Sequence, residues 1–322
     1  MTKLQEISRT ELEEKIRQAY VLLSPCRLCP RNCKVDRLKN KRGYCRAGFL
    51  PEIASFHPHH GEEPPISGYR GSGTIFFSHC SLRCVFCQNY SLSQMGEGAE
   101  VSIEELSDIM LKLQEMGCHN INFVTPTHYT PQILSSLLIA KERGLKIPLV
   151  YNCGGYESVE TLKILDGVID IYMPDFKYGD NTSAEKYSAA PDYFEIAKEA
   201  HREMYRQVGL LKIENGIAVS GLLIRHLVMP NRLAASDKIF EFIVNELSPD
   251  TAVNIMAQYY PAHLAHRYPE INRFPTINEY TEVLESAKKA GLNYGWRQTV
   301  GTLMREKIPE WKNGRAPASE KE

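Results

Sequence analysis

From Gly73 onward the chain alternates between short apolar runs and longer stretches with helical spacing. The runs 74–78, 121–125, 149–152, 169–174, 222–228 and 252–258 are rich in Val, Ile, Leu and aromatic residues. Such runs suit strands buried on both faces. Between them, apolar residues recur every three or four positions over 131–143, 158–165, 184–208, 235–247 and 277–290. A further helix opens at Ser102, which has capping-box spacing to Glu105. It carries the stripe Ile103, Leu106, Ile109, Met110 and Leu113, and stops at Gly117. Six strands, each followed by a helix, predict an α/β fold with parallel pairing and right-handed crossovers. Periodicity leaves two architectures open, a doubly wound sheet and an incomplete (β/α)6 barrel.

Ahead of this alternation, a helix is expected over 10–23, with Thr10 and Glu13 as its capping pair and Leu12, Ile16, Tyr20 and Leu23 on one face. From 24 to 70 periodicity gives way to Pro, Gly, His and basic residues. The expected organisation is a helix and Cys-rich metal-binding region over 1–70, a barrel over 71–300 and a tail over 301–322 with a polar, disordered end. The 38 Lys and Arg nearly balance the 39 Asp and Glu, which gives no global electrostatic case for nucleic acid or membrane. No apolar run approaches the roughly 20 residues of a bilayer span. The acidic, amphipathic N-terminus lacks a secretory signal, so the chain reads as soluble and cytoplasmic.

Cysteine changes the picture. There are nine, and seven fall into two tight groups. An odd number without an export signal argues against a disulfide framework and for metal ligands. Cys80, Cys84 and Cys87 follow the first strand with spacing C-x3-C-x2-C. Three thiolates so placed can hold an iron–sulfur cube with one iron left open for chemistry. A zinc site completed by His79, or three unrelated buried thiols, are the alternatives. Cys26, Cys29, Cys33 and Cys45 form a set of four that would saturate a zinc ion or a second 4Fe–4S cluster. The segment 27–46 around them carries eight Lys or Arg against one acidic residue, Asp36. These cations form a solvated face, offset bound thiolates, or meet RNA or an acidic partner. Cys118 and Cys153 have no partner spacing and read as buried thiols.

The segment SHCSLRCVFCQNY, with an aromatic residue one place before its last cysteine, resembles the signature of the radical S-adenosylmethionine (SAM) superfamily. The resemblance implies an incomplete six-unit barrel in which Cys80, Cys84 and Cys87 hold three irons of a 4Fe–4S cluster. SAM would chelate the fourth iron through its amino and carboxylate groups, and Phe86 would contact the adenine. One electron would cleave SAM to methionine and a 5′-deoxyadenosyl radical. The segments GEEPPISGYRGSGTIFFSHCSLRCVFCQN, DIYMPDFKY and LLIRHLVMP resemble the pyruvate formate-lyase activating enzyme-related subgroup of glycyl-radical activases, over residues 26–292. That resemblance implies that Asp175 and Lys177, preceded by Met173, hold SAM. Asn152 and Cys153 would stand near it, with Gly154 and Gly155 allowing close backbone approach.

The chain departs from the superfamily where a Gly-Gly-Glu-like segment is expected after the second strand. Pro126, Thr127 and His128 stand there, and Thr127 or His128 would accept the hydrogen bond from SAM's amino group. Arg225 and His226 are consecutive in a strand, so one faces inward. An inward Arg225 would meet SAM's carboxylate or ribose, or a structural carboxylate from a helix. Gln258 and Tyr259 are weaker contacts, and His57, His59 and His60 form a loop able to cover the barrel mouth. The implied partners are SAM, an electron donor such as flavodoxin or ferredoxin, and a glycyl-radical enzyme. Radical modification of a metabolite, peptide or RNA is the alternative, and a non-catalytic iron–sulfur or zinc protein the third reading.

Overall fold

The computed structural model describes residues 1–298 and 305–307. Its strands are β1 (Glu52–His59), β2 (Ser72–Phe77), β3 (Ala99–Glu100), β4 (Ile121–Val124), β5 (Leu149–Cys153), β6 (Ile171–Pro174), β7 (Lys212–Glu214), β8 (Ile217–Leu227), β9 (Ala252–Met256), β10 (Gly295–Gln298) and β11 (Arg305–Lys307). They form one sheet in the order β11-β10-β9-β8-β6-β5-β4-β2-β1-β3, with β7 on β8. From β2 to β10 along this path every pairing is parallel. The parallel strands therefore follow one another in chain order, as in a barrel, whereas a doubly wound sheet reverses at its middle.

All six expected strands are present. The sheet gains β10 as a further parallel strand and β1 as an antiparallel strand on β2, with the short β3 outside it. Alternation along each strand produces two cores. Val150, Ile171, Met173, Leu223, Ala252 and Trp296 fill the concave side. Tyr151, Tyr172, Ile224 and Ile255 point the other way and join the core beneath the helices. The expected helix over 184–208 is two, Asn181–Ser188 and Tyr193–Val208. Ala189 breaks it in a left-handed conformation, φ 48°, ahead of Pro191. The helix expected over 10–23 runs from Arg9 to Val21, behind a short helix Lys3–Glu6, and is capped by Ser8 and not by Thr10.

The region before β2 is built onto the barrel. Helix Arg9–Val21 packs on helices Thr130–Glu142 and Val159–Leu165. His57 and His59 lie in β1, where the ring of His57 stacks on Phe76 at 5.5 Å. His59 pairs with Ser72, at the start of β2. The histidines therefore sit at the end of the barrel opposite the cysteine loop and do not cover the mouth. The short helix Pro64–Ser67 closes that lower end, held by Asn120 Nδ2 donating to the Ile66 carbonyl at 2.8 Å. Its approach carries Glu62 and Glu63 into the interior, where Asn122 donates to Glu62 and Asn254 to Glu63.

At the upper end, loops after β4 and β5 are joined by a buried carboxylate, Glu157. Thr127 Oγ1 donates to it at 2.7 Å and the Tyr151 hydroxyl at 3.1 Å. Burial nevertheless pushes its pKa up to about 7. The folded chain then holds a proton that the unfolded chain has released. Stability from this group should fall as pH rises from about 4.5 to about 7, by roughly 3 kcal/mol. Glu157→Gln should flatten that part of the pH–stability curve in denaturant titrations. An unchanged slope would show that the carboxylate is not the titrating group.

Candidate cofactor site

Parallel strands in chain order bring all their C-terminal ends, and the loops that follow, to one rim. The loop after β2 carries Cys80, Cys84 and Cys87 there. Its shape depends on two left-handed residues, His79 (φ 74°) and Arg83 (φ 56°), each disfavoured for an L side chain. Local partners hold both. The His79 amide donates to the Leu92 carbonyl at 2.9 Å and its ring stands 3.0 Å from Glu52. Arg83 donates to Gln94 at 3.1 Å, and Gln94 in turn donates to the Cys84 carbonyl. The three cysteines line a cavity of about 230 Å³ together with Phe86.

Each thiol meets a hydrogen-bonding group: Leu82 N–H for Cys80, Ser188 Oγ for Cys84 and Ser93 Oγ for Cys87. Burial pushes Cys84 up to about 12 and also raises Cys87, with Lys177 opposing the shift in both. Left alone these groups stay protonated, so only a bound Lewis acid would keep them as thiolates. Among the described residues no three His, Cys, Asp or Glu gather round one point as a single ion would require. Three sulfurs that line one cavity, each with a hydrogen-bonding group beside it, form a donor set that fits a 4Fe–4S cluster.

The opposite wall is polar. Asn152 on β5, Asp175 and Lys177 after β6, and Arg225 on β8 all reach the cavity. Asp175 is held between two cations: Lys177 pairs with one oxygen, and Arg225 Nε donates to the other at 2.9 Å. Arg225 also donates to Asn152 Oδ1 at 2.6 Å and to Glu62 at 3.3 Å. Burial alone would raise Asp175, but Arg225 and Lys177 outweigh it and hold the carboxyl below its usual range. Burial works to lower Lys177 and Arg225, and the surrounding carboxylates win, so both stay charged. The wall thus offers fixed positive and negative groups side by side, suited to the ammonium and carboxylate ends of an amino acid. The ion partners of Arg225 come from inside the barrel and not from a helix. His226 points outward to Ser236.

Several expectations need correction or placement. Thr127 and His128 do not line the cavity. Thr127 is spent on Glu157, and His128 is fully buried with its ring bonded to the Ser78 carbonyl, its pKa pushed down to about 3. Val124 and Thr125 occupy that part of the wall. Cys153, Gly154 and Gln258 do line it. Tyr259 packs its ring on Phe86 at 5.6 Å while its hydroxyl donates to the Ile271 carbonyl. Cys26, Cys29, Cys33 and Cys45 form no disulfide and are tied to the cysteine loop through Arg31, and Cys118 is buried.

Sequence reasoning missed Glu62, Glu63 and Tyr193. The Tyr193 hydroxyl receives the Lys177 amide at 2.9 Å and lies 3.0 Å from the Gly154 carbonyl, tying two site loops together. Gly155 makes that junction possible. Its φ is 76°, and a Cβ there would strike the Asp175 carbonyl oxygen. Gly155→Ala should therefore cost at least about 2 kcal/mol in thermal or denaturant unfolding. Gly144→Ala is the control: it shares the left-handed backbone (φ 94°) but has nothing within 4 Å. Equal losses would show that crowding at Gly155 is unimportant.

Comparison with known proteins agrees with the cysteine loop. The profile of the Radical SAM superfamily matches residues 74–209, spanning that loop and the strands as far as Asp175 and Lys177. The uncharacterized protein MJ0674 of Methanocaldococcus jannaschii is 35% identical over 298 residues, 90% of this chain and 82% of its own length. A second uncharacterized protein of that organism, MJ0808, is 22% identical over 290 residues, 84% of this chain and 78% of its own. The solved structure of methylornithine synthase (PylB) is similar at a TM-score of 0.40 with 15% identity, over 70% of this chain and 71% of that one. No helix among the described residues is long and apolar enough to cross a membrane. The chain belongs to the radical SAM superfamily.

Proposed function

We propose that this chain is a radical SAM enzyme of the activating type, one that abstracts hydrogen from a polypeptide. The observation that carries the reading is the single cavity that joins Cys80, Cys84 and Cys87 to Asp175, Lys177 and Arg225. When bound at the three cysteines, a 4Fe–4S cluster supplies the electron that cleaves SAM to methionine and a 5′-deoxyadenosyl radical. Asp175 receives the ammonium of SAM's methionine end, while Lys177 and Arg225 attract its carboxylate. Glu62 and Asn152 hold Arg225 in place, so the guanidinium does not reorganise when the ligand arrives. Phe86, backed by Tyr259 and Tyr178, offers the adenine a flat apolar face. Exposed Tyr90, Met95 and Tyr260 flank Gln88, Asn89 and Gln258 at the rim. Such a rim suits a polypeptide better than a small polar metabolite.

Low-temperature electron paramagnetic resonance of the anaerobically reconstituted, reduced protein tests the first part. A reduced 4Fe–4S signal should change on adding SAM, and Cys84→Ala should abolish that responsive signal. Asp175→Asn should keep the cluster but weaken SAM binding by about tenfold or more, as expected when a charged partner is lost. Unchanged affinity would remove Asp175 from the SAM site. For the substrate, a polypeptide carrying α-deuterated glycine should transfer deuterium into 5′-deoxyadenosine. Deuterium arriving only from labelled small metabolites would favour the alternative reaction.

A further inference from the structure

Cys26, Cys29, Cys33 and Cys45 are not needed by the cavity chemistry, yet the chain builds them directly against it. The two cysteine loops are clamped reciprocally. Arg31, between Cys29 and Cys33, donates to the carbonyls of Ser81 at 2.8 Å and Leu82 at 3.3 Å, between Cys80 and Cys84. It also reaches the carbonyls of Ser188 and Ala189, beside the Ser188 hydroxyl that bonds Cys84. In return Arg83, between Cys80 and Cys84, reaches the carbonyl of Tyr44, the neighbour of Cys45. The Tyr44 ring receives both guanidinium groups, Arg31 at 4.0 Å and Arg83 at 5.8 Å. Cys45 lies within electrostatic reach of Cys80 as well as Cys33.

The four thiols have the surroundings of a charged centre. Arg37 is 1% exposed, and among the described residues its hydrogen bonds go to neutral carbonyls, two to Gly48 and one to His128. A buried guanidinium without a counter-charge is costly. Cys26 and Cys45 lie within its electrostatic reach, so sulfurs bound to metal there would supply the missing counter-charge. Gly43 leaves the space that Cys33 Sγ occupies, because a Cβ there would overlap the sulfur.

We propose that Cys26, Cys29, Cys33 and Cys45 hold a second 4Fe–4S cluster through which an acidic one-electron carrier protein feeds the cluster at Cys80, Cys84 and Cys87. The inference rests on the reading of that second loop as the site of SAM cleavage. One electron passes from the carrier to the N-terminal cluster and then to the SAM cluster. The carrier is oxidised by one electron, the N-terminal cluster returns to its starting state, the SAM cluster is reduced by one, and no bond forms or breaks. Cys33 is only half-buried, and exposed Lys34, Lys39, Lys41, Arg42 and Arg46 surround the site, a surface that attracts an acidic partner.

The test measures iron, sulfide and zinc in the anaerobically reconstituted full chain, together with low-temperature paramagnetic resonance. About eight irons per chain and a second reduced signal indifferent to SAM are expected. That second signal should persist in Cys80→Ala/Cys84→Ala/Cys87→Ala and vanish in Cys29→Ala/Cys45→Ala. The latter variant should still show the SAM-responsive signal with a small chemical reductant, but lose its reduction by flavodoxin in stopped-flow absorbance. Gly43→Ala should lower occupancy of the second cluster alone. About four irons in the wild-type chain, with or without zinc, would overturn the proposal even if no variant folds. Reduction by flavodoxin that survives in Cys29→Ala/Cys45→Ala would overturn the relay. Absence of any SAM-responsive signal would instead sink the reading of the Cys80 loop.

Discussion

A guanidinium inside a barrel has to be met by carboxylates, and Arg225 is met from two directions. Asp175 approaches from the neighbouring strand end, and Glu62 rises from the closed lower end of the barrel. Removing one partner from such a buried pair costs about 3–5 kcal/mol, because the other charge is left stranded. That constraint explains features that otherwise look unrelated. The plug at Pro64–Ser67 has to dock so that Glu62 arrives under Arg225. Asn122 and Asn152 have to face inward to share the Glu62 carboxylate. Lys177 can then sit on the free oxygen of Asp175. The polar wall is therefore held by contacts within the protein, which keeps its charges fixed where charge is to be recognised.

The same logic extends to the N-terminal region. Arginines placed between cysteines lock two loops to each other through backbone carbonyls, which do not depend on which side chains surround them. Arg31 and Arg83 leave the sulfurs free to bind metal while fixing the spacing between the two sets. Ordering either loop around a metal therefore helps to order the other. The eight cations of the 27–46 segment divide accordingly. Arg31 and Arg37 work inside the protein, and most of the others face solvent.

Much of the barrel was legible because buried parallel strands are nearly continuous apolar runs, and five of the six lie between well-marked helices. β1 escaped because EIASFHPH carries histidines and a proline, and it pairs along its length with β2 but with β3 at only two residues. β10, GWRQ, is too short and too polar to stand out. At the site, Cys80, Cys84, Cys87, Asp175 and Lys177 are chemically conspicuous and closely spaced. Glu62 was invisible as a site residue because it sits in a Gly- and Pro-bounded loop far from β8 in sequence, and only the plug's docking brings it to Arg225. Tyr193 lies inside the helix expected over 184–208, where nothing singles it out. The break at Ala189 is what turns its hydroxyl toward the Lys177 amide.

Thr127 and His128 show why position in a segment does not fix a role. They follow β4 at the place where an acceptor for SAM's amino group was expected, but each is drawn inward by a stronger demand. A buried Glu157 needs donors, and Thr127 supplies one. A neutral imidazole with a carbonyl at 2.8 Å is more stable buried than a charged one would be. Acceptors at the rim then have to come from elsewhere, and Asp175 is the carboxylate that lines the cavity. On the proposed reading, this chain replaces a segment after β4 with one carboxylate after β6, held ionised by two cations. That exchange makes the Asp175–Lys177–Arg225 group carry both ends of SAM's methionine moiety, and it explains why the chain invests Glu62 and Asn152 in keeping Arg225 still.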